Sequence, residues 1–152
     1  MATHFNQQLE RIRRGELQVL ALQFMNGDEV RALSMALMDE NNKVISLDLS
    51  KNYFSDEGVT SLSTALMNEN NKVTSLDLST LLIGDKGVHS FSMALMNENN
   101  KVISLGLHQN NIGVDGARSL SMALMNENNQ VSKMNLSDNK IGDAGVKSLS
   151  TA

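Results

Sequence analysis

VISLDLSKNYFSDEGVTSLSTALMNENN, residues 44–71, returns after one lysine as VTSLDLSTLLIGDKGVHSFSMALMNENN, residues 73–100, and after another as VISLGLHQNNIGVDGARSLSMALMNENN, residues 102–129. Leu47, Leu76, Leu105 and Met134 stand 29 residues apart, as do Gly58, Gly87, Gly116 and Gly145. Repetition at such a period means stacked units, none of which can bury its apolar side alone. Function on a chain of this kind is sought on a surface.

Within one unit, Val44-Ile45-Ser46-Leu47-Asp48-Leu49-Ser50 alternates apolar and polar residues, which predicts a short strand that buries Val44, Leu47 and Leu49. Asn52 and Gly58 bracket a loop, and Asp56 stands where a helix N-cap is expected. Val59, Leu62 and Leu66 then recur at helical spacing and give one apolar face. The run Asn68-Glu69-Asn70-Asn71 ends the helix, with asparagine suited to a left-handed C-cap. Because the Met67–Asn71 run recurs unchanged at Met96 and Met125, even at positions expected to be exposed, its uniformity points to recent duplication and not to a binding role.

The run Leu47-x-Leu49-x-x-Asn52, the turn Ile141-Gly142-Asp143-x-Gly145 and the helix pattern Leu62-x-x-Ala65-Leu66 resemble the leucine-rich repeat of the ribonuclease-inhibitor type. The resemblance covers residues 20–152, from a first unit of 27 residues (Leu20 to Leu47) through three full units to a fifth that stops early. It implies an α/β solenoid, right-handed and curved, with a parallel β-sheet on the concave face and α-helices on the convex face. Such proteins mainly bind other proteins. Family likeness also implies a ladder of asparagines that satisfies backbone groups, here Asn52, Asn110 and Asn139. Leu81 and Met25 interrupt it, so weaker local order is expected near Leu81. Short, near-identical repeats also resemble those of bacterial proteins directed at eukaryotic hosts, which implies an effector-like role.

Strands about 4.8 Å apart and helices about 8–10 Å apart force each unit to rotate by roughly 20°, so five units make an arc. Residues 1–19 are expected to form a capping helix and lead-in, because Phe5, Leu9 and Ile12 fall on one helical face. Residues 20–152 form the repeat domain. At the far end the last helix stops at the equivalent of Ala65, which leaves Met134, Leu136, Ile141 and Leu149 open to self-association, and a homodimer through this unit is the alternative to a binding role.

Composition narrows the partners. A net charge of −4 and a pI near 5.3 argue against nucleic acid, which requires clustered Lys and Arg. No apolar run suits a signal peptide or a membrane span, and the absence of cysteine leans toward a reducing, cytoplasmic location, whether in the source cell or in a host cell that receives the protein. No cofactor, no metal and no catalytic set is expected. His4, His89 and His108 lack partners at metal-ligand spacing, Gly84-Asp85-Lys86-Gly87 lacks the Walker spacing, and Asp138-x-Lys140-x-Gly142 fails the calcium-loop pattern. Nothing assembles a nucleophile, a base and an oxyanion donor.

A protein partner is expected on the concave face. Side chains between the buried leucines point there: Ser46, Asp48 and Ser50, then Ser75, Asp77 and Ser79, then Ser104, Gly106 and His108, then Lys133, Asn135 and Ser137. Departures from the repeat mark the expected site, with Gly106, His108 and Gln109 on one side and the rim of Tyr53 and Leu82 on the other. A strip of five strands, about 20 Å wide, falls short of the roughly 800 Å² per partner of a standard interface. High affinity from this face alone is therefore not expected. On the convex side, Met35, Met93 and Met122 share an outward helix position.

Overall fold

A computed structural model describes residues 3–152. Helix α1 (His4–Arg13) leads into a regular alternation: β1 (Val19–Ala21), α2 (Gly27–Leu37), β2 (Ser46–Asp48), α3 (Asp56–Leu66), β3 (Ser75–Asp77) and α4 (Asp85–Leu95). It continues as β4 (Ser104–Gly106), α5 (Val114–Leu124), β5 (Lys133–Asn135) and α6 (Gly142–Ser150). The strands form one open parallel sheet in sequence order, with Leu20, Leu47, Leu76, Leu105 and Met134 directly in register. Leucine therefore stacks on leucine across the sheet. Each helix packs on the next, and the core is the layer between the helices and the sheet, with Val44, Leu47, Leu49, Val59, Leu62 and Leu66 buried together with their counterparts in the third unit. Full burial of one such side chain is worth about 1.5–3 kcal/mol.

The strands are shorter than the alternating run that encodes them. After Asp48 its carboxylate accepts the N–H of Ser50 at 2.9 Å, and Lys51 then takes a left-handed φ of 60° that turns the chain out of the sheet. The same turn recurs at Phe24, Thr80, Gln109 and Asp138. β1 opens at Val19, one residue before the boundary expected at Leu20.

Three local expectations are corrected. Asp56 is not the helix cap: Ser55 holds that position, and its hydroxyl donates to Glu57, which lowers the Glu57 carboxyl below the usual range. Asp56 instead reaches the N–H of Gly84 in the next unit at 3.3 Å, and Asp85 repeats the bond to Gly113 at 2.6 Å. Such close approach accounts for glycine at two of the four repeat positions, Gly87 and Gly116, because a Cβ at Gly87 would press on Asp56 and one at Gly116 would meet Asp85 Oδ1 at 2.6 Å.

The asparagine loops are not left-handed caps either, since Met67 ends α3 in right-handed geometry. Asn71 donates to the carbonyls of Leu66 and Asn99 and accepts from Val73, while Asn70 donates back to Met38. Asn42, Asn71 and Asn100 are buried, so much of the uniformity of these loops is structural: each copy bonds to its neighbour.

Leu81 is the third. It lies in the core at 2% exposure, and Asn110 of the next unit accepts the N–H groups of Leu81 and Ile83 at 3.0 Å each. Asparagine in one unit serves the unit before it, so a missing asparagine is felt one unit earlier than its own position. Asn52 likewise accepts from Met25 and donates to Leu22 and Leu49.

At the N-terminal end Leu9 and Ile12 of α1 are buried against α2, with Phe5 half-buried beside them. In the fifth unit Met134, Leu136, Ile141 and Leu149 are only half-buried, whereas Leu105, Leu107, Ile112 and Leu120 at the same repeat positions are fully buried.

Candidate functional site: the concave face at Gly106

Parallel register sets the concave face out in rows. Val19, Ser46, Ser75, Ser104 and Lys133 form one, and Ala21, Asp48, Asp77, Gly106 and Asn135 the next. In three units the second-row side chain closes a local turn: Asp48 accepts from the N–H of Ser50, Asp77 from the N–H and hydroxyl of Ser79, and Asn135 from the N–H and hydroxyl of Ser137. Ser50 and Ser79 are thereby buried, so two of the residues expected to meet a partner are turned into the protein's own bonding.

Gly106 breaks the pattern. It has no side chain to offer His108, and the imidazole Nδ1 of His108 is buried without a hydrogen-bond partner. Asp77 leans into the space left open, since a Cβ at Gly106 would lie 2.6 Å from its Oδ1. The result is a shallow cavity of about 340 Å³, lined by Ser75, Asp77, Ser104, Gly106, His108, Lys133 and Asn135, with Leu76, Leu105 and Met134 at its floor. Five of the expected partner-binding residues thus meet at one place: Ser75, Asp77, His108, Lys133 and Asn135. Ser46 and Asp48 continue the same face toward β1.

Charge on this face is unpaired. Among the described residues the ion pairs are Arg11–Glu16, Arg13–Glu10 and Arg118–Asp115, all on exposed helical surface or beside it. Asp48, Asp77 and Lys133 take part in none of them. The face is acidic at β2 and β3 and basic at β5. No three His, Asp or Glu side chains converge as a metal site among the described residues.

Above the strands runs an exposed apolar rim. Phe24 is 81% exposed, Tyr53 74% and Leu82 72%. Tyr53 and Leu82 occupy the same repeat position in neighbouring units, and Leu82 holds a left-handed φ of 62°, a conformation that costs a branched residue about 1–2 kcal/mol. Bulky side chains held in this region and turned to solvent are found at functional sites. Gln109 is exposed beside this rim, where its side-chain oxygen accepts from the Thr80 hydroxyl at 3.1 Å.

Sequence reasoning placed Ser104 on the concave face but left it out of the site, reserved Met134 for the terminal patch, and passed over Phe24. The signal for Phe24 was present: it is the one apolar residue in a column otherwise filled by Lys51, Thr80, Gln109 and Asp138. On the convex side Met35, Met93 and Met122 are exposed, and His89 sits 3.3 Å from the Ser119 hydroxyl on the solvated face.

The family described as Leucine Rich repeat matches residues 40–63 and 128–150, together less than a third of the chain. No curated protein matches the chain. Among solved structures, that of "Leiomodin-1 Actin-Binding Site 2 (ABS2)" aligns over 99% of this chain and 90% of that one, with a TM-score of 0.76 and 20% sequence identity. No helix among the described residues is long and apolar enough to cross a membrane. Sequence family and solved neighbour agree on the architecture, and the chain is a leucine-rich repeat solenoid built of alternating helices and parallel strands.

Proposed function

We propose that the chain is a protein-binding module that engages its partner through the concave face around Gly106 and the rim of Tyr53 and Leu82. One observation carries this: the cavity on the sheet lies where the repeat departs from itself, at Gly106 and His108. The solved neighbour, whose title names an actin-binding site, supports a protein as the ligand class. Ser46, Asp48, Ser75, Asp77, His108, Gln109, Lys133 and Asn135 supply the polar contacts, and Tyr53 and Leu82 the apolar ones.

The test is blockade. Tyrosine at both Ser75 and Ser104 fills the cavity with residues that strands accept readily. With the far-ultraviolet circular dichroism unchanged, proteins retained by the wild-type chain are expected to be lost on S75Y/S104Y. Equal retention by both would rule the concave face out.

The finer form of this reading is a ribonuclease-inhibitor-type repeat protein of bacterial origin that acts inside a host cell. It is supported by the near-identity of units two to four. Failure of a reporter fusion to reach host cytoplasm during infection would remove it.

Self-association is the second reading, favoured by the half-buried Met134, Leu136, Ile141 and Leu149. A following unit would cover these residues as well as a second copy would. Light scattering that gives a monomer mass at every concentration would exclude the dimer.

A further inference from the structure

We infer that the Gly106 cavity seats a cationic side chain, an arginine or lysine carried by the protein partner. This rests on the binding role proposed for the concave face and names what that face recognises.

The Ser75 and Ser104 hydroxyls, Asn135 Nδ2 and Lys133 Nζ are donors that line the cavity, and next to Gly106 the unmet groups are acceptors. Asp77 Oδ1 receives two bonds from Ser79, while the other carboxylate oxygen has no donor. Asn135 Oδ1 is likewise taken up by Ser137. His108 Nδ1 is buried and unpartnered, and with the ring proton on Nε2 it is an acceptor. Asp48, in register with Asp77 one strand away, adds a second carboxylate about 4.8 Å across the sheet. Neither aspartate has a counter-cation among the described residues. At Asp77 and His108 the unmet need is for donors, and at Asp77 for positive charge as well. Guanidinium and ammonium groups provide only donors, and the five N–H groups of arginine spread over the width such a set requires.

An anion fits worse. It would find Lys133 at one edge and the Asp77 carboxylate at the other, with Asp48 one strand beyond. Lys133 is exposed at the β5 side, so it repels a cation arriving from there and directs it toward β3. The glycine is what makes the seat possible, because any side chain at position 106 would displace the Asp77 carboxylate.

A random peptide library displayed on phage, panned on the wild-type chain and counter-selected on S75Y/S104Y, tests this. Peptides that depend on the concave face are expected to be enriched in arginine or lysine. They should lose about tenfold or more in affinity on Asp77→Asn, as expected for a charge-assisted hydrogen bond. Asp77→Asn preserves the acceptor that bonds Ser79, so its fold is retained. Concave-dependent peptides without basic residues, or with affinity indifferent to Asp77→Asn, overturn the cation seat and leave the binding face standing. If no peptide depends on the concave face, both are overturned.

Discussion

Asparagine at three repeat positions does more than polar decoration, because each one closes backbone groups in two units at once. Asn110 accepts from Leu81 and Ile83 and donates to Leu78 and Leu107, all in buried surroundings. Replacing it by alanine strands several buried groups, each at about 1–3 kcal/mol. Asn110→Ala is therefore expected to cost about 3 kcal/mol or more, read as a fall in the urea midpoint at constant m-value. Asn139 makes the matching bonds to Ile112, Leu107 and Leu136 in a half-buried setting where water can replace them. Asn139→Ala should cost about 1 kcal/mol, and equal losses at both sites would refute the role of burial. These positions were legible in the sequence as a column. Their direction was not: a spacing of 29 says which residues are equivalent, but not that the side chain reaches back across the seam to the preceding unit.

Helices in this chain are joined by carboxylates and limited by glycines. Asp85 at the start of α4 bonds to Gly113, and the space it occupies is kept free by Gly116 in the first turn of α5. Gly116→Ala would press a methyl group against both the Asp85 carboxylate and Ile112, and overpacking of this kind costs about 1–3 kcal/mol. Gly27, in the first turn of α2, faces open space, so Gly27→Ala should be neutral or gain about 0.5 kcal/mol. Thermal melts of the two variants should move in opposite directions or, at the least, differ clearly. A reader of the sequence sees equivalent aspartates at helix starts and assigns them to capping, the commonest use of that residue there. What decides otherwise is the neighbouring unit's loop, where the N–H of Gly84 or Gly113 takes the carboxylate. Helix and strand existence, by contrast, was fully legible at this scale, since apolar periodicity depends only on local geometry and on which side is buried.

The whole molecule is a row of units, each touching only those on either side. Local stability should then follow the completeness of each interface. α1 covers the first unit with Leu9 and Ile12, whereas in the fifth unit the equivalent apolar residues are half-buried. Amides of β5 and α6 are expected to exchange with deuterium at least about tenfold faster than those of α3 and α4. Uniform protection from β2 to α6 would show a single cooperative block instead. The candidate site lies on β3, β4 and β5, and so borders this looser end. Its location was partly legible, because Gly106 and His108 are visible departures from the repeat, but the cavity itself was not. It arises from the lean of Asp77 and the orphaned imidazole, both of which depend on what stands one strand away. The hydrogen bonds that cross each seam have a further consequence for how such a chain changes over generations. A gene segment gained or lost in whole units joins an acceptor to a donor already shaped for it, whereas a segment of any other length leaves both ends of the join unmatched. Duplication in whole units is therefore the variation this architecture tolerates, and the length of the array can drift freely while the composition of its seams cannot.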